Sequence, residues 1–115
     1  MTKLLYLVIP FLLAENLAGQ SWQWAISGNC ANYSMANDVC TDNFGNSFVA
    51  GDFADTVFTF GSTTVSAGNS GSVFVSKFST SGQSLWTIIS TGSGFDGGMA
   101  CCCDQQGNVY ATGRF

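Results

Sequence analysis

A repeat of 62 residues constrains this chain more than any other feature. Trp24-Ala-Ile26 recurs as Trp86-Thr-Ile88, and the same offset then holds without a gap between residues 24–53 and residues 86–115. Eight of the thirty aligned positions are identical: Trp24/Trp86, Ile26/Ile88, Cys40/Cys102, Asp42/Asp104, Gly45/Gly107, Asn46/Asn108, Gly51/Gly113 and Phe53/Phe115. Self-similarity at a fixed period is the sequence signature of a repeat architecture.

Each copy of the repeat contains a hairpin signal. Residues 39–41 lead into Asp42-Asn-Phe-Gly45-Asn46 and a strand over residues 47–53. The second copy has the same order in residues 101–103, Asp104-Gln-Gln-Gly107-Asn108 and residues 109–115. Asp closes such a turn with its side chain, Gly takes the left-handed conformation, and Asn tolerates the position that follows. Further strands are predicted at residues 56–60, 63–66, 72–78 and 84–89, and no helical periodicity follows residue 20. The predicted fold class is all-β.

Apolar residues occupy both sides of the predicted strands at residues 48–53 and 73–75. A sheet with one solvent-facing side would alternate apolar with polar residues instead. Strands of this kind are covered on both faces, as in a β-propeller, where each blade lies between two neighbours. We therefore expect antiparallel, four-stranded β-propeller blades, with one blade in each 62-residue period.

A set of motifs extends along nearly all of residues 20–115. They are Asp42-x-x-Gly45-Asn46-x-Phe48-x-x-Gly51-x-Phe53, Phe58-x-Phe60-Gly61, Val73-Phe74-Val75-x-Lys77-Phe78, Ser81-Gly82-x-x-Leu85-Trp86 and Asp104-x-x-Gly107-Asn108-x-Tyr110-x-x-Gly113-x-Phe115. In these motifs the chain resembles the bacterial SBBP-type β-propeller repeat. The resemblance implies a large secreted or surface protein built from such repeats.

The length leaves room for about one and a half repeats of an incomplete propeller. Residues 20–115 number 96 against a period of 62, whereas a closed propeller takes about four to eight blades. The second copy is truncated at Phe115, directly after a predicted strand. We expect the N-terminal fragment of a longer product, or a truncated gene, whose open blade edges and faces favour self-association.

Residues 1–19 are typical of a secretory signal peptide. Lys3 gives a positive start, residues 4–14 form an uncharged apolar run, and Leu17-Ala18-Gly19 supplies small residues before Gln20. A membrane-spanning helix needs about 20 apolar residues, so no span is expected in the mature chain. Cleavage is predicted after Gly19, with Ala18 or Ala14 as other sites and a buried N-terminal segment as the alternative. The mature chain is then expected in the extracellular space, at the cell surface or in a periplasm.

Composition excludes several kinds of function. The chain has no His, which rules out a Ser-His-Asp triad, a Cys-His dyad and a His-ligated metal site. Lys3, Lys77 and Arg114 are the only cations against seven carboxylates, so the formal charge is −4 and no basic surface exists for nucleic acid. We expect no enzyme activity, no cofactor, no catalytic or metal site and no nucleic-acid partner.

The carboxylates are interpreted as structural. Asp42 and Asp104 occupy the same turn position of the repeat, where hydrogen bonding accounts for both. Asp38, Asp52 and Asp55 are expected to be solvated charges, because Asp is seldom buried without a partner. An acid/base pair or a calcium cage is the alternative for these groups.

Five cysteines are the least usual feature of the chain: Cys30, Cys40, Cys101, Cys102 and Cys103. An odd number leaves at least one thiol free or paired outside the chain. Along a strand, Cys101 and Cys103 point one way and Cys102 the other, and no pair has the C-x2-C spacing of a zinc ribbon. Cys40 and Cys102 share a repeat position and are expected to be small buried hydrophobes. A disulfide between Cys30 and Cys40 is left open.

Trp24 and Trp86, as repeat equivalents, are assigned to blade packing, and Trp22 is the better candidate for a surface contact.

Three interpretations of function follow. The preferred interpretation is a secreted or surface, non-catalytic β-propeller scaffold that binds protein or glycan partners. The alternative is the binding platform of a larger extracellular hydrolase whose catalytic domain lies outside this chain. A cysteine-based metal or redox protein is the third.

Overall fold

Nine β-strands make up the fold. The computed structural model describes residue 19 and residues 21–68, 71–92 and 94–114. The strands are β1 (Gly28–Asn29), β2 (Tyr33–Thr41), β3 (Ser47–Ala54), β4 (Val57–Phe60), β5 (Thr63–Ser66), β6 (Ser72–Phe78), β7 (Ser84–Ile89), β8 (Gly97–Cys103) and β9 (Val109–Arg114). Every pairing is antiparallel, and no helix occurs among the described residues, so the all-β expectation is confirmed. The predicted leader, except Gly19, lies outside the described residues, as does Phe115.

Four strands form a sheet in the order β2-β3-β6-β7, which we call the main sheet. Consecutive strands are neighbours in this sheet except where β4 and β5 intervene between β3 and β6. The two central strands are buried along nearly their whole length, and even Ser76 in β6 is fully buried, with its hydroxyl 2.8 Å from that of Thr87 in β7. Their apolar sequence matches this position, since both faces of the sheet are covered.

One face of the main sheet is covered by a small sheet in the order β1-β4-β5. The two sheets share a cluster of phenylalanines. Phe58 of β4 stacks on Phe53 of β3, with ring centroids 4.8 Å apart, and meets Phe74 of β6 at 4.6 Å. Phe60 lies edge-on to Phe78 at 4.9 Å. The excursion between β3 and β6 therefore supplies part of the hydrophobic core.

The opposite face of the main sheet is covered by the hairpin of β8 and β9. The approach is close where glycines meet: a Cβ built on Gly98 of β8 would lie 2.6 Å from the carbonyl oxygen of Gly51 in β3 and 2.9 Å from Val73 Cγ1 in β6. Glycine at position 98 allows the two backbones to pack at this distance.

Strand β2 is longer than the sequence indicates. The apolar pattern predicts a strand only from Val39, but β2 begins at Tyr33 and pairs with β3 as far as Ala54. Its first half is mostly exposed, including the large side chains of Tyr33 and Met35, so this part of the strand shows no alternation of buried and exposed residues. Backbone pairing with β3 forms this part of the strand.

Candidate functional site

The turn between β2 and β3 is held by the side chain of Asp42. Its Oδ1 accepts hydrogen bonds from the backbone N–H groups of Phe44 and Asn46, both at 2.9 Å, and its Oδ2 accepts one at 2.9 Å from the Asn46 side-chain amide. Gly45 has a φ of 81°, in the left-handed region that favours glycine. Burial raises the pKa of the Asp42 carboxyl, but these hydrogen bonds and the charge of Lys77 outweigh burial and hold the pKa below its usual value.

The turn between β8 and β9 repeats this arrangement. Asp104 Oδ1 accepts hydrogen bonds from Gln106 N at 3.0 Å and Asn108 N at 2.8 Å, and Oδ2 accepts one from Asn108 Nδ2 at 2.7 Å. Gly107 has a φ of 83°. The Tyr110 hydroxyl also donates to Asp104 Oδ2, at 3.1 Å. The bonds from Asn108 and Tyr110 lower the pKa of Asp104, and the contact with Asp104 raises the pKa of Tyr110. Both carboxylates therefore act as turn acceptors.

Both hairpins also carry a β-bulge at the same position of the repeat. The extra residue is Asn37 in β2 and Met99 in β8, which lie 62 positions apart. A glycine faces each bulge: a Cβ on Gly51 would collide with a carbonyl oxygen of β2, and one on Gly113 with a carbonyl oxygen of β8. A bulge bends its strand toward the partner, and only glycine fits opposite it.

The two repeat-equivalent tryptophans adopt different local structures. Trp86 lies within β7, opposite Lys77, and packs edge-on against Phe48 with ring centroids 5.9 Å apart. Trp24 lies outside the strands; its ring is 6.2 Å from that of Phe78, and its Nε1–H donates to the Thr80 carbonyl at 3.1 Å. The backbone around Trp86 is a strand, because it pairs with β6, whereas residues 21–27 around Trp24 are in no strand. The two copies of the repeat therefore differ in backbone structure at their tryptophans.

Polar side chains connect the main sheet to β8. Asn37 Nδ2 donates to Asp52 Oδ1 at 2.7 Å and to the Gly98 carbonyl at 2.6 Å, and Asp38 Oδ2 accepts the Cys101 backbone N–H at 2.8 Å. Asp52 is buried, so the expectation that it is solvated is wrong, whereas Asp38 is half-buried. The hairpin of β8 and β9 covers this face, and the Asn37 amide supplies the partner that a buried carboxylate requires.

Asp55 likewise has fixed partners. It accepts hydrogen bonds from the backbone N–H groups of Ala31 and Thr56, both at 2.6 Å, which lower the pKa of its carboxyl. It is half-buried and ties the chain before β2 to the turn between β3 and β4. Part of its surface remains exposed to solvent.

An open apolar groove lies on the face of the main sheet that the small sheet covers only in part. Its volume is about 380 Å³, and it is lined by Trp24, Ile26, Ala36, Asn37, Asp38, Val39, Val49, Phe60 and Phe78. Val39 is 60% exposed on its floor. The polar groups at its margin are already engaged, since the Asn37 amide donates twice and Asp38 accepts backbone N–H groups. The groove therefore offers apolar contact area more than hydrogen bonds.

The cysteines are placed differently from the expectation. All five are free thiols. Cys40 is half-buried, but Cys102 is exposed on the outer side of β8, so the expectation of a buried Cys102 is wrong. Cys30 lies just before the first residue of β2, and Cys40 lies near the last one. At about 3.3 Å per residue the two cysteines are roughly 20 Å apart, which excludes a direct disulfide between them.

Sequence reasoning missed that Cys40 lies beside Cys101 and Cys103. Cys101 and Cys103 point from β8 toward the face of the main sheet that carries Cys40, and Cys101 Sγ lies 3.7 Å from the carbonyl oxygen of Phe48, the residue paired with Cys40. The signal was present, because stacked repeats bring equivalent strands together and the neighbours of Cys102 point toward the preceding unit.

The described residues contain no cluster of three or more His, Cys, Asp or Glu side chains arranged to hold a metal ion. Nor does this part of the chain contain a helix that is long and apolar enough to cross a membrane. Trp22, the candidate for a surface contact, is 92% exposed.

Comparison of the chain with protein-family models, with curated proteins and with solved structures finds no match.

Proposed function

We propose that this chain is part of an exported, non-catalytic β-propeller whose sheets are blades and whose open faces bind protein partners. The observation that carries the proposal is the stacking of two similar units. The hairpin of β8 and β9 repeats the turn, the bulge and the glycine of β2 and β3, and it packs on the face of the main sheet. Stacking of this kind, in which one unit covers the face of the one before it, is how blades are arranged.

The outer face of β8 and β9 is the equivalent of the covered face of the main sheet. Cys40 and Phe48 contribute to that covered face and are half-buried and buried. Their counterparts 62 residues later, Cys102 and Tyr110, are both exposed, and a shallow cavity of about 190 Å³ lies between them. A third unit stacked in the same way would cover these residues. This supports an extensible arrangement of blades.

The chemistry of the groove favours a protein partner over a glycan. A sugar presents many hydroxyl groups, whereas Trp24, Ile26, Val39 and Phe78 present apolar surface. An apolar strand face or side chain, including that of another blade, gains most from such a surface. Trp22 is the feature that suits a glycan, because an exposed indole can stack on a sugar ring.

The engagement of the carboxylates supports a non-catalytic role. Asp42 and Asp104 are occupied by donors of their own turns, and Asp52 by Asn37. A general acid or base needs a lone pair or a proton that can reach a substrate. Asp42 and Asp104 instead hold the backbone of their turns, and Asp52 accepts the Asn37 side-chain amide.

Sedimentation velocity over a wide concentration range tests the groove. We expect the chain to self-associate, Val39→Lys to weaken the association and Val57→Lys to leave it unchanged. Val57 is the matched control, because it is 46% exposed but lies on β4 outside the groove. A chain that stays monomeric, or equal effects of the two variants, contradicts the proposal.

The glycan alternative is tested by fluorescence titration with neutral and acidic oligosaccharides. Binding that is lost in Trp22→Ala and retained in Leu85→Ala, another exposed position, would replace the protein proposal. Export is tested separately, by N-terminal sequencing of protein recovered outside the producing cells. We expect the sequence to begin at Gln20, and retention of Met1 on that protein contradicts signal-peptide cleavage.

A further inference from the structure

Three thiols meet at the interface between the main sheet and β8. Cys40 is on β2, and Cys101 and Cys103 are on the same side of β8. The Cys101 backbone N–H donates to Asp38 at 2.8 Å, and its Sγ lies 3.7 Å from the carbonyl oxygen of Phe48. Phe48 is the residue that pairs with Cys40 in the sheet. These contacts place Cys101 beside the paired residues Phe48 and Cys40, and Cys103 points to the same side of β8.

The backbones of the main sheet and β8 approach closely at Gly98. Sheets separated only by ordinary side chains lie about 10 Å apart, whereas the Cα atoms of a disulfide are usually about 4.4–6.8 Å apart. Gly98 brings β8 against the Gly51 carbonyl, and Asp38 holds Cys101 from its backbone. These two contacts hold β8 closer to the main sheet than ordinary side chains would.

We propose that Cys40 forms a reversible disulfide across the two sheets, with Cys101 or Cys103 as its partner, when the chain meets a small-molecule disulfide such as oxidised glutathione. A β8 thiolate attacks one glutathione sulfur and releases the other glutathione as a thiolate, which leaves a mixed disulfide on β8. The Cys40 thiolate attacks the β8 sulfur and releases the second glutathione. Two protein thiols lose two protons and two electrons, and glutathione disulfide gains them as two thiols.

The third thiol makes the cross-link exchangeable. If Cys40 is joined to Cys103, Cys101 remains next to the bond and can attack the Cys40 sulfur, which transfers the bond and frees Cys103. Burial, followed by the hydrogen bonds with Cys103 and Cys101, raises the pKa of Cys40, and burial also raises the pKa of Cys101. A small thiolate fraction makes the reaction slow but leaves its products unchanged.

The cross-link is independent of the proposed function, because it needs only the stacked arrangement of two sheets. Its role is to lock β8 to the main sheet under oxidising conditions and to release it under reducing ones. Such a bond closes a loop of about 60 residues and restricts the unfolded chain.

The experiment uses the full chain with Cys30→Ser and Cys102→Ser, which removes the two thiols outside the cluster. The protein is incubated with excess oxidised glutathione, alkylated with N-ethylmaleimide and analysed by intact mass and by non-reducing tryptic mapping. We expect one alkylated thiol and, after subtraction of the added alkyl group, a mass about 2 Da below that of the reduced chain. The tryptic map should show the peptide that contains Cys40 joined to the peptide that contains Cys101 and Cys103. Dithiothreitol should restore three alkylatable thiols.

Single variants in this background test the role of each thiol. Cys40→Ser should abolish the cross-link, Cys101→Ser and Cys103→Ser should each retain it, and the double variant should lose it. Circular dichroism of each variant checks that the sheets are intact, and the same reaction in urea should lose its preference for Cys40. The proposal is overturned if the folded background protein forms no cross-link, or if its bond joins Cys101 to Cys103 and survives Cys40→Ser.

Discussion

Replacement of Phe58 by alanine tests whether the small sheet is part of the core. Phe58 is fully buried, and its ring lies within 4.8 Å of Phe53, 4.6 Å of Phe74 and 5.7 Å of Phe60, measured between centroids. Phe58 and Phe60 are therefore the two aromatic residues through which β4 contacts the main sheet. Phe58→Ala removes this ring and leaves a cavity between two sheets.

The expected loss of unfolding free energy is about 3–5 kcal/mol, the usual cost of Phe→Ala in a core. A domain of this size has a total stability of about 5–15 kcal/mol, so that the variant should lose a large part of it. The melting temperature should fall by about 4–8 °C for each kcal/mol. Urea titration followed by the fluorescence of Trp24 and Trp86 measures both the midpoint and the slope.

Phe44→Ala is the matched control, because it makes the same chemical change at a side chain that is 70% exposed. It should change the free energy of unfolding by less than about 0.5 kcal/mol. If both variants cost the same, or if Phe58→Ala costs less than about 1 kcal/mol, the small sheet does not share a core with the main sheet.

Three further predictions concern the repeated hairpins. Gly51→Ala should destabilise the chain by about 1–3 kcal/mol or more, because the new Cβ collides with β2. Gly68→Ala is the control and should not destabilise the chain, because no atom lies within 4 Å of its new Cβ. Equal urea midpoints for the two variants would contradict the role of the bulge. The pKa values of Asp42 and Asp104 are lowered in the fold, so their contribution to stability is present above the ordinary Asp pKa and is lost as pH falls through the folded values. Acid titration of Asp104→Asn should show a weaker loss of stability than wild type, and an unchanged acid profile rules out this linkage for Asp104. Spectrophotometric titration should give a raised pKa for Tyr110 that returns toward 10.0 in Asp104→Asn, and no change on substitution excludes their hydrogen bond.

The positions of four strands and the two turns follow closely from residue patterns. The strands predicted at residues 47–53, 63–66, 72–78 and 84–89 correspond to β3, β5, β6 and β7. The interpretation of Asp42 and Asp104 as turn acceptors agrees with the structure, because every hydrogen-bond donor to these two carboxylates lies within six residues of the carboxylate. Interactions this local are encoded in the spacing of a few side chains.

Predictions that depended on distant partners were less successful. Asp52 looks like a solvated charge in the sequence but is buried, because Asn37 in another strand supplies its hydrogen bond. Cys102 looks like the equivalent of Cys40 but is exposed, since no third unit covers β8 and β9 among the described residues. The same motif has different surroundings in its two copies.

The amino-acid sequence alone determined the all-β class, the period of 62 residues and the chemistry of the two Asp-Gly-Asn turns, because these depend on contacts between residues close in the chain. The tertiary structure decided which faces are covered, how Trp24 and Trp86 differ, and that the β8 thiols face the strand that carries Cys40. Those outcomes depend on how sheets stack across about sixty residues of intervening chain. Burial and side-chain pairing are properties of that stacking, and no local pattern specifies them.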